Sequence, residues 1–158
     1  MINNNRITST IYVDADACPV KSDISLIAQE FMVHVRFIAS YDHHISNREE
    51  ESGEWIFVDP GKDSADLYIL NQIKRNDVLI TQDIGLASLA LAKGVYALSP
   101  RGTEYREESI QTALNFRYLA ARERERGNYG KGPKPFNSHD RQNFQKCFRR
   151  LLSKIEGV

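Results

Sequence analysis

A mostly parallel α/β sheet flanked by helices is the fold this sequence predicts, on three observations. Short β-branched and aromatic runs alternate with helical stretches from Thr10 to Leu98. Short βα units of this kind demand right-handed crossovers, which put helices on both faces of a parallel sheet. Acids follow three of the runs, and open α/β sheets place their ligands beyond the carboxyl ends of the strands.

Thr10–Asp14 reads as strand one, three strand formers running into two aspartates one residue apart. Pro19 opens a helix to about Met32, since proline is tolerated at the first helical position, and Val20, Ile24, Ile27 and Phe31 share one face. Val33–Ser40 is strand two, followed by the polar loop Tyr41–Glu54. Trp55–Asp59 is strand three, stopped by Pro60 and Gly61. A helix over Ser64–Arg75 is expected to bury Leu67, Leu70 and Ile73. Val78–Thr81 is strand four, and Ile84–Lys93 a helix ended by Gly94. Val95–Leu98 is strand five, after which no further strand is expected. Helices over Glu107–Arg126 and Ser138–Glu156 finish the chain around the Gly-, Pro- and Lys-rich segment Gly127–Asn137. In the last helix Phe144, Cys147, Phe148, Leu151, Leu152 and Ile155 form a core-facing stripe. The whole reads as one domain over 1–158, a βα core at 10–100 and a basic helical part at 101–158, with five strands in a Rossmann-like order 3-2-1-4-5.

Bulk properties narrow the function classes. At 158 residues and 41% hydrophobic composition the chain can build a sizeable core. No apolar run approaches the ~20 residues a bilayer span needs. Met1–Thr10 lacks the apolar stretch of a signal peptide, so a cytoplasmic location is expected and no membrane partner. Two cysteines, Cys18 and Cys147, give neither metal spacing nor a disulfide framework. Net charge is zero but divided: residues 1–100 carry 8 basic and 14 acidic side chains, a net of −6, and residues 101–158 carry 13 and 7, a net of +6. That division suits a metal-dependent enzyme acting on a polyanion. Arg122–Arg126, with signs alternating, suits a solvated helical face instead.

Asp14 and Asp16 are hard oxygen donors suited to Mg²⁺ or Mn²⁺. In the order 3-2-1-4-5, strands one and four are neighbours, so Asp14, Asp16 and Asp83 converge at the switch point, and Asp66 leans in from its helix. Each acid also has a plain structural role open to it. Asp63 or Ser64 can cap the helix that follows, Asp66 can favour its dipole, and Asp83 can cap the next helix. Two carboxylates ~4 Å apart repel by about 4 kcal/mol at an effective dielectric of 20, so a cluster calls for a cation or protons. A cation there polarises a phosphate oxygen and activates water, which suits phosphodiester hydrolysis.

The segments Asp14–Lys21, Asp63–Asp66, Thr81–Ala87, Ser99–Gly102 and Pro135–Gln142 resemble the YaiI/YqxD family of bacterial proteins over nearly the whole chain. That family is similar to PIN-like and NYN-type nuclease domains. The resemblance implies a PIN-like form of the fold and divalent-metal-dependent cleavage of RNA or DNA, with RNA favoured over DNA as the partner. It assigns Asp14 as the first-strand acid, Asp83 as the Thr-x-Asp acid and Asp66 as the middle acid. The catalytic and metal-binding set is thus Asp14, Asp16, Asp66 and Asp83, with Mg²⁺ or Mn²⁺ as the cofactor.

Two other classes compete. Haloacid-dehalogenase-like phosphatases also open on hydrophobics and Asp-x-Asp, so Asp14 could attack phosphorus with Asp16 as acid/base. Cys18 stands where Thr or Val is usual there, and the paired downstream acids are absent. The third class is a nucleic-acid-binding protein without catalysis. Cys18 precedes a helix N-terminus, but no histidine is placed to serve as its base: His34 falls in strand two, and the adjacent His43 and His44, in a polar loop, read as surface residues. For substrate phosphate the candidates are Lys21, Arg101, Lys131, Lys134 and Arg141, with Gly102 allowing close backbone approach and Tyr129 and Phe136 interleaved. Phe136 has a second reading as a hydrophobic staple for the last helix.

Overall fold

A near-continuous run of strand formers, apolar on both faces, is what a sheet covered twice requires, and β1 (Thr10–Asp14) shows it directly in Ile11, Tyr12 and Val13. Ile11 and Val13 pack to one side with β4 (Val78–Ile80) residues Val78 and Ile80; Tyr12 and Leu79 pack to the other. The structure, a computed structural model, describes residues 8–41, 52–61, 63–130 and 134–157.

The sheet runs β3-β2-β1-β4-β5-β6, with β2 (His34–Ser40), β3 (Glu54–Val58) and β5 (Tyr96–Leu98) parallel to β1 and β4. The order 3-2-1-4-5 is as the sequence predicts. The sheet has six strands rather than five, because β6 (Glu104–Tyr105) returns antiparallel on β5. Two residues are too few for a periodic signal. The hairpin is instead set by Ser99, whose N–H donates to Thr103 O at 2.8 Å and whose Oγ accepts from Thr103 N at 3.0 Å.

Helices α1 (Lys21–Phe31) and α5 (Ser138–Glu156) cover one face, packing Val20, Ile24, Ile27, Phe144, Phe148 and Leu152 over Ile11 and Val13. Helices α2 (Ser64–Gln72) and α3 (Ile84–Ala92) cover the other through Ile69, Leu86 and Ala90, and α4 (Glu107–Glu125) leans on α3 and β5 through Ile110. Two expectations are corrected. Pro19 lies in the turn before α1 rather than in its first position, with Val20 as N-cap. Leu67 is 61% exposed, and Ile69 carries the burial of α2 with Ile73. The helix is shorter than its apolar pattern suggested, leaving helical geometry at Ile73.

Cys18 is buried, and Cys147 packs partly buried against the same core as α5's stripe. No helix among the described residues is long and apolar enough to cross a membrane.

Candidate functional site

Because Val13 and Ile80 are partners in the β1–β4 register, Asp14 and Thr81 emerge side by side where the two strands end. Thr81 Oγ1 donates to Asp14 Oδ2 at 2.9 Å and accepts from Asp83 N at 3.0 Å, so one buried hydroxyl orients both acids. Burial pushes the Asp14 carboxyl from 3.8 up to about 6. The Thr81 hydrogen bond opposes this, and the charges of Asp66, Asp16 and Asp83 reinforce it. Asp66, in the first turn of α2, is also raised, by burial first and then by Asp83 and Asp63. Like-charge repulsion on Asp14 from three separate elements means that the four aspartates share one electrostatic neighbourhood.

Each acid nevertheless has its own partners. Asp16 Oδ1 accepts from Ser40 N at 2.9 Å and so ties the β1–α1 turn to the end of β2. Asp83 caps α3, its Oδ1 accepting from Leu86 N at 3.2 Å. Asp63 occupies the N-cap position of α2 with left-handed φ of 69° and makes no side-chain cap bond. A cation that sequence reasoning overlooked completes the cleft: Arg117 of α4, whose Nη1 lies 3.5 Å from Asp83 Oδ1. Gly85 makes the approach possible, since a Cβ there would stand 3.2 Å from Asp83 Oδ1 and 3.4 Å from Arg117 Nη1. The signal existed: Arg117 continues the inward spacing of Ile110 and Leu114, a charge on a core-facing stripe, but in a helix dense with charges it did not stand out.

Asp14, Gln82, Asp83, Ile84 and Arg117 line an open cleft of about 330 Å³. Gln82 and Ile84 also line a second cavity of about 370 Å³ towards β6. Tyr105 of β6 walls that cavity, its hydroxyl donating to Thr81 O at 3.1 Å. Its pKa is pushed up to about 12, by burial and then by Asp83.

Among the described residues no three of His, Cys, Asp and Glu are grouped so as to hold a metal ion. Asp14 and Asp83 do face one cleft, and Mg²⁺ commonly takes only one or two protein carboxylates, keeping waters and phosphate oxygens for the rest. Hard donors under mutual repulsion fit a divalent cation in charge and in chemistry, as a two-carboxylate site flanked by Asp16 and Asp66 rather than a four-acid cage.

Among the described residues, the expected phosphate ligands Lys21, Arg101, Lys134 and Arg141 do not line this cleft. Lys21 Nζ donates to the carbonyls of Cys18 at 2.8 Å and Ala15 at 3.4 Å, clasping the β1–α1 turn. Arg101 Nη1 pairs with Asp140 Oδ2 at 2.8 Å and its Nη2 donates to Lys134 O. Arg141 pairs with the buried Asp23 and donates to Pro19 O at 3.0 Å. The two guanidiniums lie against the Phe136 ring, 5.7 and 5.4 Å from its centroid. These arginines are structural clasps because α5 has to be fastened to a body whose α1 carries a buried aspartate. Phe136 is therefore packed against Arg101 and Arg141, the latter standing where a staple would place an apolar residue. Gly102 is needed for the approach of α5: at φ 89° its Cβ would meet Asn143 Nδ2 at 2.6 Å. Lys134 is exposed, and Lys131 lies outside the described residues, as do His43 and His44. Exposed His34 pairs with Glu54 at 2.9 Å, and burial pushes the Cys18 thiol up to about 11, away from a nucleophilic thiolate.

A family model described as "Uncharacterized BCR, YaiI/YqxD family" matches residues 12–154. A UPF0178 protein of Bacillus velezensis is 46% identical over 98% of this chain and 91% of its own. A UPF0178 protein of Listeria monocytogenes is 50% identical over 85% and 89%. Among solved structures, homospermidine synthase from Legionella pneumophila in complex with NAD aligns with TM-score 0.49 and 15% identity, covering 84% of this chain and 37% of that one. So slight a likeness carries no argument here.

Proposed function

The chain belongs to the YaiI/YqxD family, and we propose that the aspartate cleft makes it a divalent-metal-dependent hydrolase of phosphodiester bonds in nucleic acid, RNA before DNA, on a PIN-like variant of the fold. The observation that carries the reading is Asp14: a half-buried carboxyl raised to about 6, beside Asp83 and Arg117 in one open cleft at the β1/β4 switch point.

Asp14 and Asp83 would hold Mg²⁺ or Mn²⁺, with Asp16 and Asp66 adding negative charge from either side. The ion, when bound, polarises a phosphate oxygen and acidifies water. The chain's own residues do the rest. Thr81 fixes the Asp14 oxygen that faces it, so the other oxygen keeps one orientation. Arg117 is the cation placed to neutralise phosphate oxygens, a role guanidinium fills through paired N–H donors. Its tie to Asp83 is long and its own side chain more than half exposed, so it exchanges for a phosphate at little cost.

The test is cleavage of a labelled single-stranded RNA, with the DNA equivalent alongside, in Mn²⁺ and in Mg²⁺. Cleavage that EDTA abolishes, and that Asp14→Asn or Asp83→Asn lowers by about 100-fold or more, is the expected result. A folded protein that cuts neither strand with either metal overturns the reading. So does cutting at full rate in both variants.

A further inference from the structure

The cavity beside the acid cleft has a composition of its own. Ile84, Pro100, Ile110 and Ala113 supply apolar wall; Gln82, Glu104, Tyr105 and Ser109 supply polar groups. At about 370 Å³ it is small for a peptide and ample for one nucleotide. Gln82 and Ile84 line both this cavity and the cleft that Asp14 and Asp83 line, so the two are neighbours.

Its hydrogen-bonding character follows from which hydrogens are already committed. Tyr105 O–H donates to Thr81 O, and Ser109 O–H to Arg106 O at 3.4 Å, so both hydroxyls face further partners as acceptors. Gln82 Nε2 donates to Ala17 O at 2.8 Å. Arg101, though in the lining, has Nη1 on Asp140 and Nη2 on Lys134 O. The Glu104 carboxylate offers two acceptor oxygens; its pairing with the exposed Arg106, at 3.6 Å, is weak. Ser99 Oγ, in the same wall, accepts from Arg101 N and Thr103 N and has its own hydrogen to give. A pocket in which the Glu104 carboxylate and the Tyr105 and Ser109 oxygens accept, beside donors such as the Ser99 hydroxyl, complements a base edge carrying adjacent donors next to an acceptor. Among the common bases, guanine has that edge: N1–H and N2–H₂ beside O6.

We propose that the cavity between β4, β6 and α4 is a guanine subsite, seating the base of a nucleotide whose phosphate lies at the aspartate cleft, with Glu104 accepting from N1–H and N2–H₂. The inference rests on the phosphodiesterase reading of that cleft but is tested without it. The measurement is calorimetric titration of guanosine, inosine and uridine 5′-monophosphates into the full chain in EDTA, where no metal-dependent cleavage can occur. Guanosine monophosphate should bind, inosine monophosphate, lacking only the 2-amino group, about tenfold more weakly, and uridine monophosphate more weakly still. Glu104→Gln should erase the guanine–inosine difference, and Ala113→Phe, filling the cavity, should remove binding of all three while circular dichroism stays unchanged. Equal binding of guanosine and inosine monophosphates overturns the inference, as does no heat at millimolar nucleotide or binding that survives Ala113→Phe. If RNA is cut but guanosine monophosphate does not bind, the subsite fails and the hydrolase stands. Selective binding by a protein that cuts nothing reverses that outcome.

Discussion

Asp14 is the residue on which most depends, and its ionisation is open to direct measurement. Its folded pKa of about 6 lies above the ordinary 3.8, so the folded state binds the proton more tightly than the unfolded chain. The stability this gives is fully present below pH ~4 and lost as pH rises through about 6, after which an ionised Asp14 is a standing cost. A gap of about two pH units at 1.36 kcal/mol each makes that cost at most about 3 kcal/mol. In EDTA, Asp14→Asn should therefore melt several degrees above the parent at pH 7.5, and the gain should shrink towards zero near pH 4. Scanning calorimetry across that range checks it. Arg117 gives the complementary expectation. As an exposed side chain with one long ion pair, its replacement by Ala should leave Tm within a degree or two, yet lower RNA cleavage by about 100-fold. At this scale the acids were legible, because carboxylates after strands are conspicuous. Arg117 was not, because only the packing of α4 on α3 brings it to Asp83.

At the scale of elements, α5 shows how a sequence signal can be right in kind and wrong in use. Its apolar stripe and its bounds follow from periodicity, and its start is fixed by a capping box between Asn137 and Asp140. Of the candidates for phosphate, Arg101 and Arg141 reach Asp140 and Asp23, and Arg149 likewise reaches Glu30, the last two acids being on α1. Sequence shows charges, whereas partners more than a hundred residues away appear only in three dimensions. Arg141→Ala should lower stability by about 2 kcal/mol, since it strips a buried carboxylate of its cationic partner, although Gln145 Nε2 still donates to it at 2.7 Å. Gly102→Ala should cost about 2 kcal/mol, from a left-handed φ and the clash with Asn143. Urea titration of the metal-free protein measures both.

Over the whole molecule, strand order does the decisive work. The chain leaves β1 for β2 and β3 on one side and resumes at β4 and β5 on the other, so the first and fourth strand ends open a crevice between them. That much could be read from alternating βα units, and so could the approach of Asp14 to Asp83. Neither β6 nor the cavity beside it could, since two residues of strand leave no pattern. The charge division gains a physical account: part of the basic third serves to fasten α5 onto acidic α1, and the cation at the cleft comes from α4. The central claim, a metal site shared by Asp14 and Asp83, is tested most directly by calorimetric titration of Mn²⁺ into the metal-free chain at pH 7.5. One site lost in both Asp14→Asn and Asp83→Asn is the expected result; no heat in the parent, or equal heat in both variants, would contradict it.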